Sequence, residues 1–177
     1  MILGLDISTS ISGFCVVDED GEVFDIGAVN FKKHKKNIIK KLEQIEEWIN
    51  NYEHIGKIKT IIVEAPLRRF AKGQSSATTL FNLHSFNIAI QYMVYKKTGR
   101  LPRTINATSA RKRIGINIPK GLAYKDRKKY IFGVVSPMIK DVTFEYTRFG
   151  NPKQECYDMV DSWVIAYSEW FVRSQKK

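Results

Sequence analysis

The chain has 177 residues, and its 29 lysines and arginines against 18 acidic residues give a net charge of +11. This length suits one compact domain with its own core, so we predict a single domain over residues 1–177. A hydrophobic content of 44% excludes general disorder, and no apolar run reaches the roughly 18 residues of a membrane span. The excess positive charge favours a polyanionic partner, with nucleic acid ahead of an anionic membrane surface.

The N-terminus and the cysteines indicate the compartment. Met1 leads directly into an apolar strand pattern rather than into a signal peptide, so we expect an intracellular protein, cytoplasmic or in a comparable compartment. Cys15 and Cys156 are the only cysteines and lack metal-ligand spacing. We therefore interpret both as small buried hydrophobic residues rather than as a disulfide.

The first thirty residues predict an antiparallel meander. Apolar runs at residues 2–7, 13–17 and 23–31 are separated by polar or turn-rich segments at 8–12 and 18–21. Three hairpin-connected strands produce this pattern.

Helical periodicity dominates the remainder of the chain. We predict helices over 37–52, 75–97, 108–114, 124–135 and 155–173, and strands at 60–63 and 103–106. We expect Gly99 to end the long helix and Thr108 to cap the next one. Residues 60–63 are apolar at alternate and at intervening positions, so both faces of this strand are apolar. We therefore expect it in a parallel arrangement that is covered on both faces. The elements predict an α/β fold: a mixed five-stranded sheet flanked by helices.

Two carboxylates fall in or directly after predicted strands. Asp6 interrupts an apolar run, where burial without a partner or a metal is costly; capping of the following turn is an alternative role. Glu64 ends the strand at 60–63, and the carboxyl ends of strands are where ligands bind in α/β folds. Both positions therefore favour a functional site.

A second pair of carboxylates lies near the start of the last predicted helix. Asp158 and Asp161 are three residues apart, so their side chains share one helical face. Acidic residues in a first turn also complement the helix dipole, which explains either residue taken alone. Four carboxylates from three elements favour a shared metal site instead.

These positions carry a resemblance to a known family. The segment ILGLDISTS at residues 2–10, followed by Gly13, resembles the opening motif of RuvC-type Holliday junction resolvases. IIVEAP at 61–66 resembles their second motif, and DMVDS at 158–162 with Ala166 their last. Order and spacing agree along nearly the whole chain. The resemblance implies a ribonuclease H-like fold with two magnesium ions per site, bound by Asp6, Glu64, Asp158 and Asp161.

The chemistry of carboxylates is consistent with that implication. Hard cations such as Mg²⁺, or Mn²⁺ as a substitute, prefer carboxylate and phosphate oxygens. Two ions about 4 Å apart can activate a water and stabilise the leaving 3′ oxygen of a phosphodiester. No histidine, cysteine or serine nucleophile is then needed, and we expect no small-molecule cofactor.

Basic residues cluster where the resemblance places DNA contacts. The predicted DNA-binding residues are Arg68, Arg69, Lys72, Arg111, Lys112, Arg113, Lys125 and Lys128. Arg111 and Lys125 match the family's active-site basic residues best, with Lys112 as an alternative for the first, and Lys125 is counted among the catalytic residues. A solvated charged face is the competing explanation for each cluster.

Related resolvases insert an aromatic side chain from the loop after the second acidic motif into the junction. Phe70 is the candidate for this wedge, because Arg69 and Lys72 flank it and stacking on bases would offset its exposure. Leu67, directly after the motif, is an alternative. Burial of Phe70 in the core is the competing explanation.

The resemblance implies a homodimeric, magnesium-dependent endonuclease of DNA recombination and repair that cuts four-way junctions by paired symmetric nicks. A broader nuclease for flaps, branches, R-loops or RNA:DNA hybrids is the alternative, because one such site serves many substrates. A non-catalytic nucleic-acid-binding module is a third possibility. Its signature would be a broken carboxylate set, and the set here is complete.

Overall fold

The computed structural model describes residues 1–66 and 76–176, except for the side chains of Tyr124 and Lys125. Its strands are β1 (Ile2–Asp6), β2 (Ile11–Val17), β3 (Val23–Asn30), β4 (Thr60–Glu64) and β5 (Arg103–Ile105). They form one sheet in the order β3-β2-β1-β4-β5. The first three strands are antiparallel, whereas β4 runs parallel to β1, and β5 parallel to β4. The predicted meander and the predicted parallel strand are both confirmed.

The helices are α1 (Ile38–Asn51), α2 (Ala77–Thr98), α3 (Ala107–Arg113), α4 (Tyr124–Val135) and α5 (Gln154–Ser174). Gly99 ends α2 with a φ of +67°, as predicted. The predicted Thr108 cap is wrong. β5 ends at Ile105, so α3 starts directly after it, and the N-cap is Asn106, without a side-chain cap bond. None of the helices in the described ranges is long and apolar enough to cross a membrane.

The two faces of the sheet bury separate cores. Leu3 and Leu5 of β1 pack on the face covered by α1 and α2, where Phe86 is fully buried. Ile2 lies on the other face, in the core that the last three helices cover. Successive residues of a strand point to opposite faces, so Asp6 lies on the same face as Ile2. Both cysteines are buried and free, as predicted.

Helix α5 lies unusually close to the two central strands. A Cβ atom added to Gly4 would come within 2.5 Å of the Ser162 carbonyl oxygen, and one added to Gly13 would overlap the carbonyl of Asp158. Only glycine leaves room for this approach, since real Cβ atoms are excluded at such distances. Because Gly13 is the antiparallel partner of Asp6, the same contact brings the start of α5 over the end of β1.

Candidate metal centre

The ends of two neighbouring strands position the first two carboxylates. Asp6 is the last residue of β1 and Glu64 the last of β4. The strands are parallel, with Leu5 paired to Val63, so both acidic residues lie at one edge of the sheet. The close contact of α5 with Gly13 adds the helix that carries Asp158 and Asp161.

The four predicted carboxylates come together at this edge. Oxygen atoms of Asp6, Asp158 and Asp161 all lie within 4.8 Å of one another. Glu64 joins them through a hydrogen bond between its carboxyl group and that of Asp6. We call these four residues the four-carboxylate cluster. Their role as metal ligands stays a prediction.

Burial raises the pKa of every member of the cluster, and repulsion from other members adds to this effect at Asp6, Glu64 and Asp161. Desolvation is the largest cause at each residue. For Asp6 the nearby charge of Glu64 adds to it, so the pKa of Asp6 lies well above its usual value. Burial and the charge of Asp6 raise the pKa of Asp161 to about 7. Four such groups retain full negative charge only where cations offset it.

The turn after Asp6 is stabilised without its carboxylate. The side-chain oxygen of Ser8 accepts from the amide of Ile11 at 3.2 Å, and that of Ser12 accepts from the amide of Ser8 at 3.2 Å. The buried Lys41 donates to the carbonyl of Thr9 at 2.6 Å. Since other residues supply these bonds, the turn gives no reason for a buried carboxylate at Asp6.

Two basic side chains approach the cluster. Lys128 of α4 donates to an oxygen of Asp158 at 2.9 Å. Burial lowers the pKa of Lys128, but the Asp158 carboxylate outweighs this effect, and the net pKa is raised. The guanidinium of Arg111 acts on Glu64 and Asp161, where it lowers the carboxyl pKa values. Lys32 acts on Asp158 from farther away. Within the described part of the chain, these positive charges are fewer than the four carboxylates, which leaves the cluster with unmet negative charge.

The donor set fits a hard divalent cation. All four groups are carboxylates, and the chelating oxygens of three lie within 4.8 Å of one another, a spacing that one or two small ions bridge. Each cation would also remove the repulsion that raises the pKa values. The residues present therefore suit Mg²⁺ or Mn²⁺ better than a softer metal, which prefers nitrogen or sulfur ligands.

The other predicted site residues are placed differently. Arg113 approaches Glu169, with 3.8 Å between their side-chain nitrogen and oxygen, rather than the cluster, and Lys112 is exposed. Lys125 lies in the first turn of α4, but its side chain is outside the described part. Leu67, Arg68, Arg69, Phe70 and Lys72 also lie outside the described residues, so their roles stay predictions.

A second buried carboxylate on α5 has a different environment. Glu169 is 7% exposed and forms ion pairs with Arg103, Arg113 and Arg173. Burial alone would raise its pKa, but hydrogen bonds from Arg173 and Arg103 lower it below the usual value. We call these four residues the Glu169 cluster. The sequence gives no signal for the cluster as a whole, although the spacing of Glu169 and Arg173 predicts one of its ion pairs.

Comparisons with known proteins bear on the fold. No family model and no curated protein sequence matches the chain. RuvC of Thermus thermophilus in complex with a Holliday junction substrate superposes with a TM-score of 0.64 at 12% identity, over 98% of this chain and 94% of that one. A second structure of Thermus thermophilus RuvC gives 0.59 at 11%, over 99% and 96%. The yeast mitochondrial Holliday junction resolvase gives 0.60 at 14%, over 98% and 79%.

The chain has the RuvC-type fold. This confirms the predicted ribonuclease H-like architecture, with its mixed five-stranded sheet and flanking helices. At 11–14% identity the similarity establishes the arrangement of the backbone, while activity depends on the site that the fold carries.

Proposed function

We propose that the chain is a metal-dependent, structure-specific endonuclease that resolves four-way DNA junctions by paired symmetric nicks. The observation that carries the proposal is the convergence of Asp6, Asp158 and Asp161, with Glu64 beside them, on a buried and under-neutralised point. The shared fold supports it, because the similar structures are those of Holliday junction resolvases. A net charge of +11 supports a nucleic-acid substrate.

In this proposal the four-carboxylate cluster holds two Mg²⁺ ions, for which Mn²⁺ can substitute. When bound, the ions lower the pKa of water and stabilise negative charge on the phosphate. The chain's own contribution is to fix the ligand oxygens. Asp6 and Glu64 end buried strands and the other two lie on a helix packed against them, so little rearrangement is needed when the phosphate arrives.

Basic residues orient the phosphate in the same site. Arg111 lies near Glu64 and Asp161, where its guanidinium can donate to a phosphate oxygen. Lys128 places a second positive charge beside Asp158. We assign Lys125, in the first turn of α4, the catalytic role that the resemblance implies, and Arg68, Arg69, Lys72, Lys112 and Arg113 to phosphate contacts along the DNA.

Paired nicks require two active sites, and α2 offers a surface for a second copy of the chain. Its inner residues Phe86, Ile90 and Val94 are buried, but its outer face exposes large apolar side chains. These are Phe81, Ile88, Tyr92 and Tyr95, from 42% to 71% exposed. Their spacing of seven, four and three residues places them on one helical face. Such a stripe can pair with its own copy about a twofold axis.

A charge at the centre of this stripe tests the homodimer. Ile88→Glu should convert a dimer into a monomer in sedimentation equilibrium, because burial of the charge opposite its own copy is costly. Ile39→Glu is the matched control, since Ile39 is 60% exposed and Ile88 is 63% exposed. A wild-type protein that sediments as a monomer with bound junction would overturn the proposed homodimer.

Cleavage of matched substrates tests the function itself. The protein and Mg²⁺ are incubated with labelled four-way, flap, RNA:DNA-hybrid and linear duplexes of shared sequence. The expected result is a pair of symmetric nicks in the four-way junction and little cutting elsewhere. Preferential cutting of flaps or hybrids would instead indicate the broader nuclease. If no substrate is cut in Mg²⁺ or Mn²⁺, the chain is a non-catalytic nucleic-acid-binding module.

Salt dependence tests the basic surface separately from catalysis. If roughly 6 to 10 phosphates are contacted, affinity should fall by about 10³ to 10⁵ between 50 and 200 mM salt. A nearly flat dependence contradicts a DNA-facing basic surface.

The wedge is tested by a substitution in the loop after the second acidic motif. Phe70→Ala should reduce the fluorescence gain of 2-aminopurine at the crossover without loss of duplex binding.

A further inference from the structure

The segment between α4 and α5 contains a short hairpin, residues 145–153, to which the proposed function assigns no role. An antiparallel bridge joins Tyr146 to Pro152, and the amide of Lys153 donates to the carbonyl of Glu145 at 2.9 Å. Gly150 turns the chain at a φ of +74°, a conformation that L side chains rarely adopt. We call this segment the 145–153 hairpin.

The tip of the hairpin presents an aromatic ring and a positive charge together. Phe149 is 75% exposed, among the largest exposures of a hydrophobic residue in the described part of the chain. The guanidinium carbon of Arg148 lies 4.6 Å from the centroid of its ring. This cation–π contact positions the ring but leaves most of it open to solvent. A flat apolar surface beside a cation suits a nucleotide, which offers a base to stack and a phosphate to pair.

The base of the hairpin is anchored to both neighbouring helices. The ring of Phe132 on α4 contacts those of Phe144 and Tyr146, with centroids 5.2 and 6.4 Å apart. On α5, the thiol of Cys156 donates to the carbonyl of Glu145 at 3.3 Å. The tip is therefore presented on a fixed support, which lowers the entropic cost of using it for binding.

The hairpin lies within reach of DNA bound at the four-carboxylate cluster. Lys153 is the N-cap of α5, and Asp158 follows five residues later. Four extended residues and five helical ones span at most about 22 Å between Phe149 and Asp158. One turn of duplex is about 34 Å long. A nucleic acid held at the cluster therefore extends far enough to meet the tip.

We propose that Phe149 stacks on an unpaired or splayed base of the nucleic acid held at the four-carboxylate cluster, while Arg148 contacts its backbone. The inference rests on the proposed function, since it needs a nucleic-acid substrate. Stacking acts on any base because every base has an aromatic face. The tip therefore selects DNA with opened pairs, such as a junction or a fork, over fully paired duplex.

Equilibrium binding of three labelled DNAs tests the inference: a four-way junction, a fork with unpaired arms and a linear duplex, each followed by fluorescence anisotropy in EDTA. Phe149→Ala should weaken binding to the junction and the fork by about 5- to 150-fold, the equivalent of one stacked base. Binding to the linear duplex should change less than about twofold, because a paired base is already stacked. Phe149→Trp should restore the lost affinity.

Leu101→Ala is the matched control. Leu101 is 79% exposed and precedes β5, which is parallel to β4, so it lies at the edge of the sheet opposite the cluster. This variant should bind all three DNAs as the wild type does. Thermal unfolding of Phe149→Ala should match the wild type, because the ring is exposed.

The outcomes separate this inference from the proposed function. If the wild type cuts the junction but Phe149→Ala binds all three DNAs as Leu101→Ala does, the role of the hairpin is wrong and the nuclease stands. Equal weakening on all three DNAs also overturns base stacking. If the wild type neither binds nor cuts any of them, both proposals fail.

Discussion

Helix α5 carries buried carboxylates at two levels with opposite surroundings. In the described ranges, the four-carboxylate cluster gathers four acidic groups around one close ammonium and one guanidinium, and burial raises the pKa values of the carboxyl groups. About 12 Å farther along the helix, the Glu169 cluster gathers three guanidinium groups around a single carboxylate, whose pKa is lowered. An acidic helix residue thus indicates a cation site only where the chain leaves its charge unmet.

The largest expected effect is on catalysis at the acidic level. Asp6→Asn, Glu64→Gln, Asp158→Asn and Asp161→Asn should each lower junction cleavage by at least about 10³-fold, because each removes a metal ligand worth several kcal/mol in the transition state. Junction binding should persist or strengthen, since four carboxylates near a phosphate repel it. Single-turnover nicking and anisotropy measure the two effects.

Glu169→Gln is the control for that prediction, because it removes a buried carboxylate from the same helix and should still cut. If Asp158→Asn keeps near-normal turnover while Asp161→Asn is inactive, α5 supplies a single ligand and the four-ligand site is wrong. Normal cutting by all four variants would place the active site elsewhere.

The effect of Gly13→Ala should be the next largest. This substitution displaces the start of α5, which carries Asp158 and Asp161, and leaves the part around Glu169 in place. The added methyl group overlaps the carbonyl of Asp158, and such overpacking costs about 3 kcal/mol in unfolding free energy. Mg²⁺ should also stabilise this variant less than the wild type, because the ligands are displaced. Urea unfolding with and without Mg²⁺ measures both.

The matched glycine control is Gly133→Ala. A Cβ atom at Gly133 meets nothing within 4 Å, so inside α4 the change should stabilise by up to about 1 kcal/mol. Equal stability of Gly13→Ala and wild type would show that the helix can shift freely, contrary to a site fixed by close contact.

Glu169→Gln, in the Glu169 cluster, should lower the free energy of unfolding by about 2 kcal/mol. It weakens charged hydrogen bonds, and the loss is limited because the arginines remain partly solvated. Its increase in Tm on addition of Mg²⁺ should equal that of the wild type. Loss of the Mg²⁺ response in this variant would mean that the two levels are one electrostatic unit.

The smallest expected effect is a pH dependence of stability in EDTA. The folded pKa of Asp161 is raised to about 7, so the native state binds more protons than the unfolded chain above the ordinary carboxyl pKa. The protonated Asp161 therefore contributes to the free energy of unfolding at low pH, and this contribution is lost as the pH rises through about 7. We expect the Tm to fall by about 2–8 °C between about pH 5 and pH 8, for a loss of about 1–2 kcal/mol.

Asp161→Asn should make this dependence weaker, with the slope that remains due to the raised pKa values of the other three carboxyl groups, and should raise the Tm at the upper end of the range. Saturating Mg²⁺ should do the same for the wild type. Glu169→Gln should leave the slope unchanged, because the pKa of the Glu169 carboxyl group is lowered and this group titrates below the pH range of the measurement. A slope of opposite sign would contradict an under-neutralised cluster.

Local patterns predicted most of the fold and the acidic half of the site. Apolar alternation predicted the strands to within a few residues. Asp6 stood out because it interrupts an apolar run, where a carboxylate is costly to bury, and Glu64 because it ends a strand. The parallel order then places both at one edge. Helical spacing placed Asp158 and Asp161 on one face, and the resemblance to RuvC-type resolvases joined them with Asp6 and Glu64 in one predicted site.

The resemblance predicted basic residues at the site, Arg111 among them, but not which carboxylate each would approach, because that depends on how separate elements pack. Nothing in the sequence near Lys128 distinguishes it from the neighbouring lysines, yet its ammonium donates to Asp158. Arg103 and Arg113 come from elements more than fifty residues before Glu169. The 145–153 hairpin was only an irregular loop in the sequence, since a single bridge and one glycine give no periodic signal.

The positions of the four carboxylates along the chain also set the order in which the parts of the site are synthesised. Asp6 and Glu64 leave the ribosome early, but their partners lie at 158 and 161, near the far end of the sequence. A nascent chain that stops before α5 has the strands and much of the basic surface, and lacks two of the four acidic groups. In the proposed function, most residues for nucleic-acid contact are therefore synthesised before the cation site is complete, and the four-carboxylate cluster forms only when the last helix packs on Gly4 and Gly13.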